Sequence, residues 1–265
     1  MNAIETTDLT KRYGDVVALE ELNLSVETGT VFGLLGTNGA GKSSLFKLLI
    51  GHLRPDAGSV TVGGRDVTEA GHALRRVVGY VPEHAGFSPA LTGQEVLDFH
   101  ARIRGIPSAA RAERVADVLE TVGLADAADR RVGGYSNGMN RRLALGTALL
   151  HRPRVLLLDE PTAGLDPLGV AEFHRIVERL AKADGLTVVL TSHVLAEIEA
   201  LCENVAVLHD GQLKFTGSVD ELAEVGNGAG LDRAFTHLVG ETRTANLKRN
   251  GMNSAENAHP TEARQ

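Results

Sequence analysis

The sequence predicts an α/β fold wound around a mostly parallel sheet, and two observations carry that expectation. A short apolar run, Val31 to Leu35, feeds a glycine-rich loop at Gly36–Ser43, after which Leu45, Phe46, Leu48 and Leu49 recur at helical spacing. Further apolar strand patterns follow at Val155–Leu158, Thr187–Thr191 and Val205–Leu208, separated by helical patterns near 167–183 and 194–202. Strands alternating with helices are what a parallel sheet needs, because each crossover must return across the sheet face.

Ahead of this core, residues 3–35 read as short strands joined by turns at Gly14-Asp15 and Thr28-Gly29, which predicts an N-terminal antiparallel β subdomain. Between about 84 and 152 the period turns helical. Thr92-Gly93-Gln94-Glu95 is a capping box opening a helix through Ile103. Val115, Val118, Leu119 and Val122 form a second apolar face ending at Gly123, and Ser136 can cap a third helix over 138–151 before Arg152-Pro153. This block is a helical insertion. Later, Asp210-Gly211 reads as a hairpin turn, Ser218 as the cap of a last core helix, 226–230 as a linker and 231–239 as a short helix. From Glu241 onward apolar residues are few and disorder is expected, so the predicted organisation is one domain over 1–240 and a tail over 241–265.

Composition narrows the function. The 34 acidic and 27 basic residues leave a formal charge of -7, which argues against wrapping nucleic acid. The lone Cys202 excludes an intrachain disulfide and reads as a buried small hydrophobe; the 10 histidines lack zinc-ligand spacing. Met1 to Leu9 is polar and alternating, and no run approaches the ~20 apolar residues of a spanning helix. A soluble cytoplasmic protein is expected, reaching a membrane only through a partner.

Gly36-x-x-x-x-Gly41-Lys42-Ser43 between a strand and a helix is a phosphate loop, so the fold is expected to be a P-loop NTPase of RecA-like type. Glycines there let backbone amides converge on phosphate oxygens, and the helix N-terminus adds partial positive charge. ATP is the expected nucleotide, held by Gly36, Thr37, Asn38, Gly39, Ala40, Gly41, Lys42, Ser43 and Ser44. Lys42 would bridge the β and γ phosphates and the Ser43 hydroxyl would hold Mg2+. Asp159 and Glu160 end a buried strand where open α/β sheets present ligand sites. Asp159 is expected to support Mg2+, Glu160 to act as general base, and His193, at another strand end, to hold Glu160 and water in line.

The order Tyr13, phosphate loop, Gly79-Tyr80-Val81-Pro82-Glu83, Tyr135-Ser136-Asn137-Gly138-Met139, Leu158-Asp159-Glu160-Pro161-Thr162, Gly164-Leu165-Asp166-Pro167 and Thr191-Ser192-His193 resembles the ATP-binding subunit of ABC transporters. The resemblance implies that Tyr13 stacks on adenine. It implies that Ser136, Asn137 and Gly138 meet the γ phosphate held by a second subunit, and that Asp166 links the two sites. It also implies that residues 93–151 receive a membrane permease. A homodimer bound to a polytopic permease, peripheral on the inner face of the cell membrane, is the expected assembly; a soluble ABC protein serving assembly or regulation is the alternative.

Departures from the family pattern sharpen the expectations. Glu83 stands where most relatives have a glutamine touching Mg2+ and the attacking water; as a carboxylate it could ligate the metal, adding negative charge beside Glu160. Asn137 replaces a glycine, for which asparagine's tolerance of left-handed torsions is the expected compensation. Pro82-Glu83-His84 and Phe87–Gly93 are similar to the branch serving ABC-2-type permeases, including the ATPase of nitrous oxide reductase copper-site maturation. The pairs Arg75-Arg76, Arg130-Arg131 and Arg141-Arg142 read as solvated helix faces, with partner contacts the alternative.

Overall fold

The computed structural model describes residues 1–226 and 230–240. They fall into two compact units, Met1–Val219 and a unit beginning at Asp220.

In the first unit, β1 (Asn2–Tyr13) and β2 (Val16–Glu27) form an antiparallel hairpin across the turn at Gly14. Each runs 12 residues, longer than the short strands expected. The register shifts around Asp8 and Glu21, which adopt φ of 47° and 46°, so bulges bend these strands without ending them. Further along the chain, β4 (Ala57–Val62) pairs with β1, and the two-residue β5 (Arg65–Asp66) completes a four-stranded sheet, β2-β1-β4-β5.

Between these elements, β3 (Val31–Gly36) is buried along its whole length and runs into α1 (Lys42–Leu49). With β6 (Val78–Val81), β7 (Val155–Leu158), β8 (Thr187–Ser192), β9 (Asn204–His209) and β10 (Gln212–Ser218) it makes a six-stranded sheet, β10-β9-β3-β8-β7-β6. Pairing is parallel from β9 to β6; β10 is an antiparallel edge, joined to β9 through Asp210 and Gly211 at φ of 48° and 75°, the left-handed pair a tight hairpin requires. All of β7 and β8 are buried, as strands covered on both faces must be. Leu45, Phe46, Leu48 and Leu49 of α1 share one core with Val60 and Val62 of the small sheet and Leu34, Leu157 and Leu208 of the large one. The phosphate-loop helix is thereby wedged between both sheets.

The helical insertion comprises α2 (Gly93–Ile103), α3 (Ser108–Thr121) and α4 (Asn137–Leu149). The expected capping box is present: Thr92 N–H donates to Glu95 Oε2 at 2.8 Å and Glu95 N–H to Thr92 Oγ1 at 3.2 Å. Gly146 lets α4 approach the other two, since a Cβ there would lie 3.1 Å from Val118 Cγ1 and 3.4 Å from Leu97 Cδ2. Next, α5 (Pro167–Asp184) closes on Gly185 at φ 62°, and α6 (Leu195–Leu201) precedes β9. Cys202 is buried, and burial pushes its thiol up to about 12, as suits an inert core residue.

The second unit contains α7 (Val219–Val225, which begins at the boundary) and a helix over 231–240. The middle of the expected linker, 227–229, and the expected tail lie outside the described residues.

Candidate functional site

The loop after β3 is shaped by two close approaches. A Cβ on Gly41, which has φ 109°, would lie 2.5 Å from Ala18 O, and one on Gly36 would lie 2.5 Å from Leu208 O. Only glycine fits either place. Lys42, 8% exposed, turns its Nζ back into the loop, donating to Gly36 O at 2.6 Å and Thr37 O at 3.3 Å. Burial lowers its pKa, against the opposing pull of the Glu160, Asp159 and Glu83 carboxylates. Ala40 is buried, whereas Asn38, Gly39 and Ser43 are exposed at the rim. Tyr13, 46% exposed at the end of β1, places its hydroxyl 3.5 Å from Ser44 Oγ, so an open aromatic face borders the loop.

The ends of β7 and β8 lie beside this cradle. Asp159 Oδ1 accepts from Thr191 Oγ1 at 2.8 Å, and Asp159 Oδ2 accepts from Tyr80 Oη at 3.3 Å. Burial and the Asp159 charge raise the Tyr80 pKa, keeping that phenol a donor. Glu160 Oε2 lies 2.7 Å from His193 Nδ1, and Glu160 Oε1 lies 3.9 Å from Lys42 Nζ. Its backbone has φ 44°, a strained left-handed conformation for a non-glycine residue. The structure therefore joins the three residues expected to do chemistry, Lys42, Glu160 and His193, in one chain of contacts.

Glu83 is half exposed, its carboxylate 3.7 Å from His84 Nδ1. No group of three or more His, Cys, Asp or Glu side chains among the described residues could hold a metal. The donors expected from the sequence are the Ser43 hydroxyl and the Asp159 and Glu83 carboxylates. Hard oxygen donors so few in number suit Mg2+, which keeps waters and takes substrate phosphates as its remaining ligands.

Ser136, Asn137, Gly138 and Asp166 gather elsewhere. They line a hollow of about 360 Å³ to which no residue of the phosphate loop contributes. Ser136 Oγ accepts from Met139 N–H at 3.2 Å and Asp166 Oδ1 from Gly169 N–H at 2.7 Å, capping α4 and α5. A Cβ on Gly138 would lie 3.9 Å from Gly169 Cα, so the two helix starts nearly touch. The expected left-handed torsion at Asn137 is not found: it forms the first residue of α4, and the helix starts one residue earlier than its apolar pattern predicts. Ser136 takes the extended cap conformation, so residue 137 needs no glycine torsion.

The sequence reading missed three supports. Thr191 stood only as context for His193, yet its hydroxyl also accepts from Glu160 N–H at 2.8 Å. Tyr80 had no assigned part. Arg141 was expected on a solvated face, and that is wrong: it is 9% exposed and bonds Pro82 O at 2.8 Å, Glu83 O at 2.7 Å and Glu160 O at 3.4 Å. Arg142 is also engaged, donating to Gly123 O at 2.9 Å and pairing with Glu172 at 3.5 Å. The remaining pairs, Arg75-Arg76 and Arg130-Arg131, are exposed as expected, but Arg130-Arg131 lies in a loop and not on a helix face.

The family described as ABC transporter matches residues 19–163, a stretch that includes the phosphate loop, Ser136–Gly138 and Asp159–Glu160. The chain belongs to the ABC transporter family. This ABC ATPase is 40% identical over 210 residues to the bacitracin transport ATP-binding protein BcrA of Bacillus licheniformis, covering 79% of this chain and 68% of that one. It is 42% identical over 225 residues to the daunorubicin resistance ATP-binding protein DrrA3 of Streptomyces coeruleorubidus, covering 84% and 71%. A solved structure of an ATP-binding subunit of an ABC transporter superposes with a TM-score of 0.78 at 30% identity, covering 89% of this ABC ATPase and 99% of that chain.

Proposed function

We propose that this ABC ATPase binds Mg2+ and ATP at the Gly36–Ser44 loop, closes as a homodimer over the nucleotide and thereby drives a separate polytopic permease. The observation that carries this reading is the placement of Glu160 between His193 Nδ1 and Lys42 Nζ, at 2.7 and 3.9 Å. Lys42 would exchange its two neutral carbonyl acceptors for phosphate oxygens, gaining charge-assisted bonds roughly twice as strong. Asn38, Gly39 and Ala40 would supply loop amides, and Tyr13 would stack on the base. Mg2+, held by Ser43 and Asp159 with Glu83 in reach, would neutralise charge developing on the phosphates. Glu160, fixed by His193 through one oxygen, would use the other to take the proton of the attacking water.

Ser136–Gly138 and Asp166 share a hollow separate from the phosphate loop, which supports a role on a second copy's nucleotide. A twofold pairing puts each such surface over the other protomer's loop. A cleft of about 730 Å³ between Glu83–Pro89 and the helical insertion supports permease docking there. No helix among the described residues is long and apolar enough to cross a membrane, so the chain would sit peripherally on the inner face through that permease. The relatives' names, bacitracin transport and daunorubicin resistance, support an export system over copper-site maturation.

Two variants test the reading. Lys42→Ala should lose ATP binding, while Glu160→Gln should bind ATP, stop hydrolysis and run as an ATP-dependent dimer on size exclusion. Normal turnover by Glu160→Gln sinks the base assignment, and a monomer under saturating ATP sinks the shared site. Failure to co-purify with a polytopic membrane protein would favour a soluble assembly or regulatory factor.

A further inference from the structure

Arg141 projects from the second turn of α4, yet its bonds to Pro82, Glu83 and Glu160 all leave the helical insertion. Nη1 donates to Pro82 O, and Nη2 to Glu83 O and, more weakly, Glu160 O. Those carbonyls follow directly on two neighbouring strands, for β6 and β7 end paired at Val81↔Leu158 and Asp159 N–H still bonds Val81 O at 2.9 Å. Beyond those last ladder bonds one segment continues to Glu83 and the other enters the strained turn at Glu160. The planar guanidinium bridges the gap at the point where the sheet stops doing so.

We propose that Arg141 is a positioning residue for ATP hydrolysis: by binding Pro82 O, Glu83 O and Glu160 O at once, it holds the residue-83 acid and the Glu160 base in fixed register and ties both to the helical insertion. This rests on the function proposed above for Glu160 and deepens it. Charge supports the placement. Burial lowers the Arg141 pKa, and the Glu83 and Asp159 carboxylates oppose that shift, so the cation sits where the site's negative charge accumulates. A lysine cannot replace it, because a single ammonium on a flexible stem lacks the fork that reaches successive carbonyls.

The test compares Arg141→Lys and Arg141→Gln with the wild type. Both variants should bind ATP with a Kd within about threefold of wild type, because the phosphate loop does not contact Arg141, and both should lose kcat by about tenfold or more through misplacement of the base. Full kcat in the lysine variant would overturn the proposal, since charge alone would then suffice. Parallel loss of ATP affinity and kcat would overturn it too, as a general packing defect. Amide hydrogen exchange on nucleotide-free protein gives a second readout. In Arg141→Lys, the Asp159 amide, bonded to Val81 O, and the Ala163 amide, bonded to Glu160 O at 3.2 Å, should both exchange faster. Loosening confined to α4 overturns the proposal. Should Arg141→Lys fail to fold, wild-type exchange decides: the two amides must gain protection together as ATP is added, and independent titration refutes the tie. A wild type that hydrolyses no ATP would sink the functional reading, while nucleotide-free exchange would still judge Arg141.

Discussion

Thr191 stands between the two acids of the site, giving its hydroxyl proton to Asp159 Oδ1 and receiving the Glu160 N–H, each at 2.8 Å. One buried hydroxyl thus orients the carboxylate assigned to metal and pins the backbone of the residue assigned as base. Its position at the end of β8 follows from parallel pairing, in which Leu158 lies opposite Leu190 and the next residues of both strands converge.

Thr191→Val keeps the shape and removes the hydroxyl, leaving Asp159 Oδ1 short of a donor and Glu160 N–H short of an acceptor. Stability should fall by about 1–3 kcal/mol in urea denaturation. Hydrolysis should need more Mg2+ for half-maximal rate and lose about tenfold in kcat, within the range for a displaced catalytic group. Thr191→Ser should restore most of both. A valine variant with wild-type Mg2+ dependence would remove Thr191 from the site.

Gly41→Ala and Gly39→Ala separate steric need from torsional need. Both glycines have positive φ, 109° and 83°. Around Gly39 nothing lies within 4 Å of an added Cβ, whereas at Gly41 it would meet Ala18 O at 2.5 Å and Leu19 Cδ2 at 2.8 Å. Gly39→Ala should cost about 1–2 kcal/mol of torsional strain and still bind a fluorescent ATP analogue. Gly41→Ala must push the loop off Ala18 and should bind none measurably. Equal binding by the two would show that the cradle tolerates displacement.

Much of this was legible in the sequence because it is local. The phosphate loop, the Thr92–Glu95 capping box, the buried runs at Val155–Leu158 and Thr187–Ser192 and the Asp210-Gly211 hairpin each announce themselves within a few residues. What stayed hidden depends on long-range contact. Arg141 looks like one of several basic pairs until folding brings Pro82 and Glu160 onto it across 59 and 19 residues of chain. Tyr80 and Thr191 meet Asp159 only because β6, β7 and β8 are neighbours in the sheet. Strand order is not written in hydrophobic periodicity. The short Val78–Val81 strand, its apolar run broken by Gly79 and Tyr80, lacks the unbroken pattern that marks the equally short Val155–Leu158.

Glu83→Gln should move the alkaline limb of nucleotide capture. Burial holds the Lys42 pKa down, and Glu160, Asp159 and Glu83, in that order, oppose the shift. Neutralising Glu83 removes one of those opposing charges, so the Lys42 pKa should fall further. Because kcat/KM reports the free protein, its decline at high pH should begin at lower pH in the variant. Superimposable pH profiles would show that Glu83 does not act on the site.

His151 predicts a pH dependence of stability independent of catalysis. Its ring follows α4, where a ring nitrogen, Nε2, lies 3.0 Å from Val78 O and Nδ1 is buried without a partner among the described residues. Burial, reinforced by the Arg104 and Arg114 charges, lowers its pKa to about 4, against the weaker upward pull of the Val78 bond. The unfolded chain, near the ordinary value of about 6.5, binds more protons than the folded one between those two pH values. Stability from this group is therefore complete above pH ~6.5 and is lost as pH falls toward about 4. Between pH 7.5 and 5 the loss should be about 2 kcal/mol or less, measured by urea denaturation at both pH values. His151→Gln, which keeps a donor for Val78 O and cannot take up a proton, should flatten that slope by the same amount. An unchanged slope would mean that water reaches the ring, and that the start of β6, at the end of the strand away from the site, is less tightly sealed than its burial indicates.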